Sequence, residues 1–169
     1  MMKAAAFGAA LALALSGGAL AQTPAVPPLP PPPARAPAMA VAVDLAQTAI
    51  AACAANGYKV TAVVLDAAAA ERVLIVADGA ASITPAIGTR KAFTAITFKA
   101  PSGEVGDLVK TDPAVAAQFK ADTRLIPWAG GEPLRWGGEL IGALGVSGAP
   151  GGDKDDACAK AALAKVKLG

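Results

Sequence analysis

The chain has 169 residues, of which 54% are hydrophobic, 17% are charged and 4% are aromatic. Fifteen basic and thirteen acidic residues give a net charge of +2, and there is no histidine. Without a stripe of basic residues or many aromatic side chains, the chain is not expected to bind nucleic acid. Without histidine it lacks Ser-His-Asp and Cys-His catalytic groups and histidine-ligated metals, and the sequence identifies no catalytic or metal-binding residue.

The first 21 residues have the pattern of an export signal. Lys3 precedes an apolar run from Ala4 to Leu15, and Ala19-Leu20-Ala21 fits a cleavage site. The run is shorter than the ~20 residues that a membrane-spanning helix requires. We therefore predict cleavage after Ala21 and a periplasmic or secreted protein whose mature chain does not span a membrane.

Residues 22–39 are rich in proline, including the run "PPLPPPP". Proline fixes φ and lacks a backbone N–H, so this segment predicts an extended, disordered spacer. The remaining residues, 40–169, are enough for one domain with its own hydrophobic core.

The domain begins with a predicted helix, followed by two strands. Apolar residues spaced three and four apart define one helical face: Val43, Ala46, Ile50 and Cys53. Asn56-Gly57 is typical of a helix end. The β-branched segments 58–65 and 71–77 predict two strands, joined by a hairpin through "DAAAA".

The second half of the domain predicts a second helix, three short strands and a last helix. Thr84 as N-cap and Pro85 start a helix that runs to about Phe98. A short helical piece is predicted over residues 103–109, "GEVGDLV". Residues 124–148 predict three strands with turns at glycine pairs 130–131 and 137–138, and a helix follows from about 153 to 166. Strands joined by tight turns are antiparallel, so the fold class is α+β.

The two cysteines, Cys53 and Cys158, are an even number in a chain predicted to be exported. This favours a disulfide bond. Two separate buried thiols are the alternative.

Two basic residues interrupt an apolar helical stripe. Lys91 lies three residues before Thr94, and Arg90 lies four residues before it, so the three side chains can converge. Charged groups in such a stripe require a partner or a pocket. They either extend to water or pair with Asp78, or they form a pocket for carboxylate or propionate groups.

The glycine-rich loop "GVSGAPGGD", residues 145–153, has the strand–loop–helix order of a phosphate site but lacks the required Lys-Ser/Thr pair. Asp153, Asp155 and Asp156 follow at the start of the last helix. We interpret them as surface groups that complement the helix dipole and would repel a phosphate.

Four segments carry a family resemblance: "ADGA", "GTRKAFTAITF", "APSGE" and "GGELIGALGVSGAPGGDKDDACAKAAL". Together they resemble the GlcG/HbpS family of haem-binding proteins, which is related to the C-terminal domain of PduO, over residues 42–167. The resemblance implies a profilin-like three-layer α-β-α sandwich with a five-stranded antiparallel sheet. It also implies a homo-oligomer, a dimer at least, and helices at both ends of the domain that bring Cys53 and Cys158 within bridging reach.

The resemblance makes haem or a related tetrapyrrole the leading ligand and the only expected cofactor. Arg90 and Lys91 would hold its acidic groups, Thr94 would line the pocket, and Tyr58 is a further candidate near the iron. Asp78, considered above as a partner of the two cations, completes the candidate ligand-binding site. Two tryptophans are candidates for stacking on the ligand, Trp128 and Trp136. The alternatives are an oligomeric structural or interaction module without a dedicated ligand, and an accessory enzyme that acts on haem or a small acid.

Overall fold

Residues 35–169 are described in this computed structural model. The predicted signal peptide and residues 22–34 of the predicted spacer lie outside the described residues. Five helices and four strands follow in order: α1 (Met39–Ala54), β1 (Thr61–Asp66), β2 (Glu71–Val76), α2 (Thr84–Phe98), α3 (Ser102–Thr111), α4 (Pro113–Ala121), β3 (Gly131–Trp136), β4 (Glu139–Ser147) and α5 (Gly152–Lys165).

The sheet has the strand order β2-β1-β4-β3, and every neighbouring pair is antiparallel. The α+β class and the antiparallel pairing predicted from the sequence are therefore confirmed. Gly137 and Gly138 both have positive φ, 58° and 83°, and connect β3 to β4 as a tight hairpin turn. This turn was predicted, and glycine suits it because both central residues require a left-handed backbone.

Helices cover both faces of the sheet, which gives three layers. Alternate residues of β1, Ala62 and Val64, pack with α1 and α5 in the larger hydrophobic cluster. Their neighbours Val63 and Leu65 pack against α2 in the smaller cluster. This alternation follows from the two-residue period of a strand and buries β1 on both faces.

The predicted sheet of five strands is wrong, because the described residues form four. The segment predicted as the first of three strands, residues 125–129, is not paired as a strand. Side chains bind its backbone instead: Arg90 donates to Leu125 O (2.8 Å), Ile126 N donates to Thr94 Oγ1 (3.0 Å), and Ser102 donates to Trp128 O (2.7 Å). These bonds hold the segment against α2 and α3. Pro127 also lacks the backbone N–H that a strand would need for pairing.

Helix α2 lies close to the sheet at two glycines. Its predicted end at Phe98 is confirmed, and it begins at Thr84, one residue before Pro85, the predicted first helical residue. The predicted cap is not confirmed, because Thr84 Oγ1 bonds to Ala81 O (2.7 Å) and to Thr61 Oγ1 (2.7 Å) rather than capping the helix. A β-carbon at Gly145 of β4 would overlap Gly88 O of α2. These glycines allow α2 to approach β4 and thereby bring Lys91 next to the end of that strand.

A disulfide joins Cys53 of α1 to Cys158 of α5, with a Cα–Cα distance of 5.4 Å. The predicted bridge is present, and the alternative of two separate thiols is wrong. Within residues 35–169, no helix combines the length and the apolar character that crossing a bilayer requires.

Candidate functional site

A buried ion pair connects α2 with the start of α5. Lys91 Nζ lies 2.6 Å from Asp155 Oδ2 and also donates to Val146 O at 3.0 Å. The two residues are 2% and 3% exposed. Lys91 therefore neither reaches water nor pairs with Asp78, which were the two structural interpretations of the sequence.

Burial shifts the pKa values of both partners in the directions that favour their neutral forms. Desolvation lowers the pKa of Lys91 and raises the pKa of Asp155. The hydrogen bond between them opposes both shifts but is the smaller effect. The close contact between the two groups thus favours their charged forms, whereas their dehydration disfavours them.

Asp155 is buried, although its position among three clustered aspartates predicted a surface residue. Only Asp155 of the three is buried. Its Oδ1 accepts from Ala149 N at 2.8 Å, which ties the glycine-rich loop to α5. A usable signal existed: Asp155 shares the three- and four-residue spacing of Cys158 and Ala162, which form the buried stripe of α5.

The ion pair lines a cavity of about 270 Å³ at the end of β4. We call it the lysine cavity. Its walls include residues of α2, the glycine-rich loop and α5: Thr84, Ile87, Lys91, Trp128, Ser147, Gly148, Ala149, Gly151, Gly152 and Asp155.

Arg90 lines a different cavity, of about 290 Å³, with Arg124 and Phe93. We call it the arginine cavity; its other walls are Leu65, Ala68, Ala69 and Thr89. Arg90 Nε is buried without a hydrogen-bond partner among the described residues. The Arg124 guanidinium lies 4.3 Å from the centre of the Phe93 ring, a cation–π contact.

Arg124 also binds Asp122 at 2.7 Å. This hydrogen bond lowers the pKa of Asp122. The arginine cavity thus combines two guanidinium groups with an apolar wall.

The predicted site residues do not converge on one pocket. Arg90 and Lys91 line separate cavities, and Thr94 is fully buried with its hydroxyl bonded to the backbone of Arg90 and Ile126. Tyr58 lines a third cavity, of about 210 Å³, beside Cys158.

The remaining candidates are spread over the surface. Asp78 is exposed near the end of β2. Trp128 is at the lysine cavity, whereas Trp136 lies beside Ile141 and Arg35. Neither tryptophan contributes to the walls of the arginine cavity.

A second buried acid, Glu132 of β3, lies beside Asp156 and Lys160 of α5. It is 5% exposed, and its Oε1 has no hydrogen-bond partner among the described residues. Lys160 Nζ lies 2.7 Å from Asp156 Oδ2 but 3.8 Å from Glu132 Oε1. Desolvation, reinforced by Asp156, raises the pKa of Glu132 to about 8.

No metal centre is evident at these groups. Within the part of the chain that the structure describes, no three histidine, cysteine, aspartate or glutamate side chains are grouped so that they could hold a metal ion.

Solved structures with the same fold are similar along most of the chain. A double mutant of HbpS from Streptomyces reticuli is 30% identical, with a TM-score of 0.71 over 93% of this chain and 97% of that one. A complex of PduOC with haem is 25% identical, with a TM-score of 0.73 over 79% of this chain and 97% of that one. Klebsiella pneumoniae protein ORFY, 24% identical with a TM-score of 0.70 over 75% and 88%, shares the fold.

The chain and these solved structures share one α+β fold, in which an antiparallel sheet lies between two layers of helices. Residues 38–164 match the model of the family described as "Haem degrading protein HbpS-like". The chain belongs to this HbpS-like family, as the resemblance in its sequence predicted. No curated protein matches the sequence.

Proposed function

We propose that the protein binds haem or a related tetrapyrrole without transforming it, and that Arg90 holds an acidic group of the ligand. The arginine cavity carries this proposal. Arg90 has a buried Nε with no partner among the described residues, next to a second guanidinium at Arg124. An unpaired buried donor is costly, and a carboxylate would satisfy it with a charge-assisted hydrogen bond.

The residues of the arginine cavity fit the propionate edge of haem. Phe93 and Leu65 offer apolar contact beside the two arginines. A cavity of about 290 Å³ is near the lower end for small-molecule sites, so it would take one edge of the ring and leave the rest outside.

The iron side is different, because the chain has no histidine and its described cysteines are in the disulfide. The proposal is therefore binding through the propionates and apolar contacts, without histidine ligation.

Lys91 has no part in this refined proposal, although the sequence suggested that it would hold acidic groups together with Arg90. Its ammonium group is bound to Asp155 and to Val146 O on another side of α2. Arg124, which the sequence analysis did not identify, takes its place beside Arg90.

Titration with haemin, followed by the Soret band, tests the proposal. Arg90→Gln and Arg124→Gln should each weaken binding about tenfold or more, since each removes a charge-assisted hydrogen bond. Arg72→Gln, at an exposed arginine of β2, is the matched control and should bind as the parent does. Haemin dimethyl ester lacks free propionates and should bind the parent weakly. Equal affinities for haemin and its ester would overturn the role of Arg90.

We also propose that copies of the chain associate through β2, the edge strand of the sheet. Leu74 and Val76 of β2, together with Ile83, are exposed apolar residues near this edge. Such a patch supports self-association and also favours the alternative of an interaction module. Sedimentation of the parent should show a dimer or larger assembly, and Val76→Arg should reduce its mass. A monomeric parent at micromolar concentration would contradict the proposal.

Export to the periplasm or beyond remains part of the proposed function. The pattern of residues 1–21 supports it, and so does the disulfide, which is common in oxidising compartments. N-terminal sequencing of the protein from a producing bacterium should give Gln22 as the first residue. Retention of Met1 in the cytoplasmic fraction would refute export.

A further inference from the structure

The lysine cavity is lined by a serine hydroxyl that the fold does not use. Ser147 is 4% exposed at the end of β4, and its hydroxyl forms no side-chain hydrogen bond within residues 35–169. Its neighbours differ in this respect, because Thr61 and Thr84 bond to each other at 2.7 Å. A hydroxyl that lines a cavity without a side-chain hydrogen bond of its own is open to a ligand there.

Further hydrogen-bond donors surround the same cavity. The Lys91 ammonium group has three N–H bonds, of which two are used by Asp155 and Val146 O. Helix α5 begins at Gly152, and its first intrahelical bonds run from Lys154 N and Asp155 N to Gly151 O. The amides of Gly152 and Asp153 precede those bonds, at the positive end of the helix dipole. Lys91 and Gly152 therefore add hydrogen-bond donors to the lining of the cavity.

Other lining residues are apolar. Ile87, Trp128 and Ala149 are among them, and Trp128 is 51% exposed. A cavity of about 270 Å³ lined by both hydrogen-bond donors and apolar residues suits a molecule with one oxyanion and a short hydrocarbon chain.

The aspartates at the start of α5 do not exclude a ligand with one negative charge. The sequence had suggested that they would repel an anion. Each aspartate at the start of α5 has a lysine partner: Asp153 with Lys154, Asp155 with Lys91, and Asp156 with Lys160. Lys91 and Asp155, the two charged residues that line the cavity, therefore offset each other before a ligand binds.

We propose that the lysine cavity is a separate site for a short-chain monocarboxylate, whose oxygens bind the Ser147 hydroxyl, the Lys91 ammonium group and the first amides of α5. This site shares no wall residue with the arginine cavity. The proposed ligand is a second, smaller acid rather than the other end of the tetrapyrrole.

Trp128 provides the measurement, because its fluorescence reports on the wall of the cavity. Trp136→Phe, at a tryptophan outside the cavity, leaves Trp128 as the single tryptophan in the chain. We expect titration of this variant with sodium propionate, at ionic strength held constant with NaCl, to give a saturable change. Propionamide has the same shape without the charge, and it should bind at least about tenfold more weakly because charged hydrogen bonds are the stronger ones.

Ser147→Ala in the same background should weaken propionate about tenfold, as expected for the loss of one hydrogen bond to an anion. Arg72→Gln, at an exposed arginine of β2, should leave propionate binding unchanged. Saturation-transfer NMR of propionate with the parent protein gives a second readout that needs no substitution. Equal responses to propionate and propionamide, an unaffected Ser147→Ala variant, or no transfer to propionate would each overturn the proposal. Failure of haemin to bind would leave it standing.

Discussion

Lys91 is the largest fully buried side chain among the described residues, and its charge is balanced by a residue 64 positions away. Breaking such a pair costs more than its net contribution, because the remaining charge stays buried. Lys91→Met should therefore lower the free energy of unfolding by about 3–5 kcal/mol. The double variant Lys91→Met with Asp155→Leu should recover most of this loss. Urea unfolding of the three proteins measures both effects.

A surface pair on α3 is the control for this prediction. Lys110 Nζ lies 2.7 Å from Asp107 Oδ1, but both side chains are largely exposed. Lys110→Met should change stability by less than about 1 kcal/mol, because solvent screens the pair. If Lys91→Met were as mild as Lys110→Met, the Lys91–Asp155 pair would not determine the packing of α2 against α5.

Because of Glu132, we expect the free energy of unfolding to fall as the pH rises from about 4.5 to about 8. Its folded pKa, about 8, is above the ordinary value of 4.5 because of burial and the neighbouring Asp156. Between these values the folded state keeps a proton that the unfolded state has lost, so folding becomes less favourable with each increment of pH. Glu132→Gln should remove this decline: the variant should match the parent near pH 4 and exceed its stability above pH 8.

The measurement is the urea midpoint of parent and variant from pH 4 to pH 9. One pKa unit corresponds to about 1.4 kcal/mol, so the difference should be readily resolved. Glu71→Gln, at an exposed glutamate of β2, should follow the parent at every pH. Parallel pH profiles for the parent and Glu132→Gln would show that Glu132 is charged in the folded protein.

The sequence identified Lys91 as unusual but could not identify its partner. An ammonium group in an apolar stripe is visible from helical spacing alone. The identity of the partner depends on how the sheet positions α2 relative to α5. The spacing of residues within one helix carries no information about that position. The same limitation explains why Arg124 was missed: it reaches the arginine cavity through a loop whose path was predicted as a strand.

At the scale of elements, one hydroxyl of α2 should fix the path of residues 125–129. Thr94 Oγ1 accepts from Ile126 N at 3.0 Å and donates to Arg90 O at 2.9 Å. Thr94→Val would leave the buried Ile126 amide without a partner, so it should cost about 1–3 kcal/mol and accelerate hydrogen exchange at Ile126. Thr97→Val, three residues further along the helix, is the control, because Thr97 is exposed and bonds only to Phe93 O in its own helix. Unchanged exchange at Ile126 in Thr94→Val would contradict this role.

Local sequence patterns predicted most helices and strands, because the periodicity of each element depends only on the residues of that element. The end of α2, the two strands after α1 and the Gly137-Gly138 turn followed from spacing, β-branched residues and glycine. Residues 125–129 have a strand-like composition, yet their hydrogen bonds go to side chains of α2 and α3. That outcome depends on tertiary contacts, which override local preference.

At the scale of the whole molecule, α1 and α5 form one layer although they lie at opposite ends of the described chain. Ala46 and Ala49 of α1 share the larger cluster with Ala159 and Ala162 of α5. Small residues at this contact allow close approach but bury little apolar area per side chain. The layer therefore depends on the covalent link between its helices more than a leucine-rich contact would.

Reduction of the Cys53–Cys158 disulfide should accordingly lower the free energy of unfolding by about 4–5 kcal/mol, because the bridge closes a loop across a sequence separation of 105 residues. Urea unfolding with and without dithiothreitol measures the loss. The variant Cys53→Ala with Cys158→Ala should resemble the reduced parent, and dithiothreitol should have no effect on it. If that variant were as stable as the oxidised parent, the packing of α1 against α5 would be sufficient without the bridge, and the disulfide would serve another purpose.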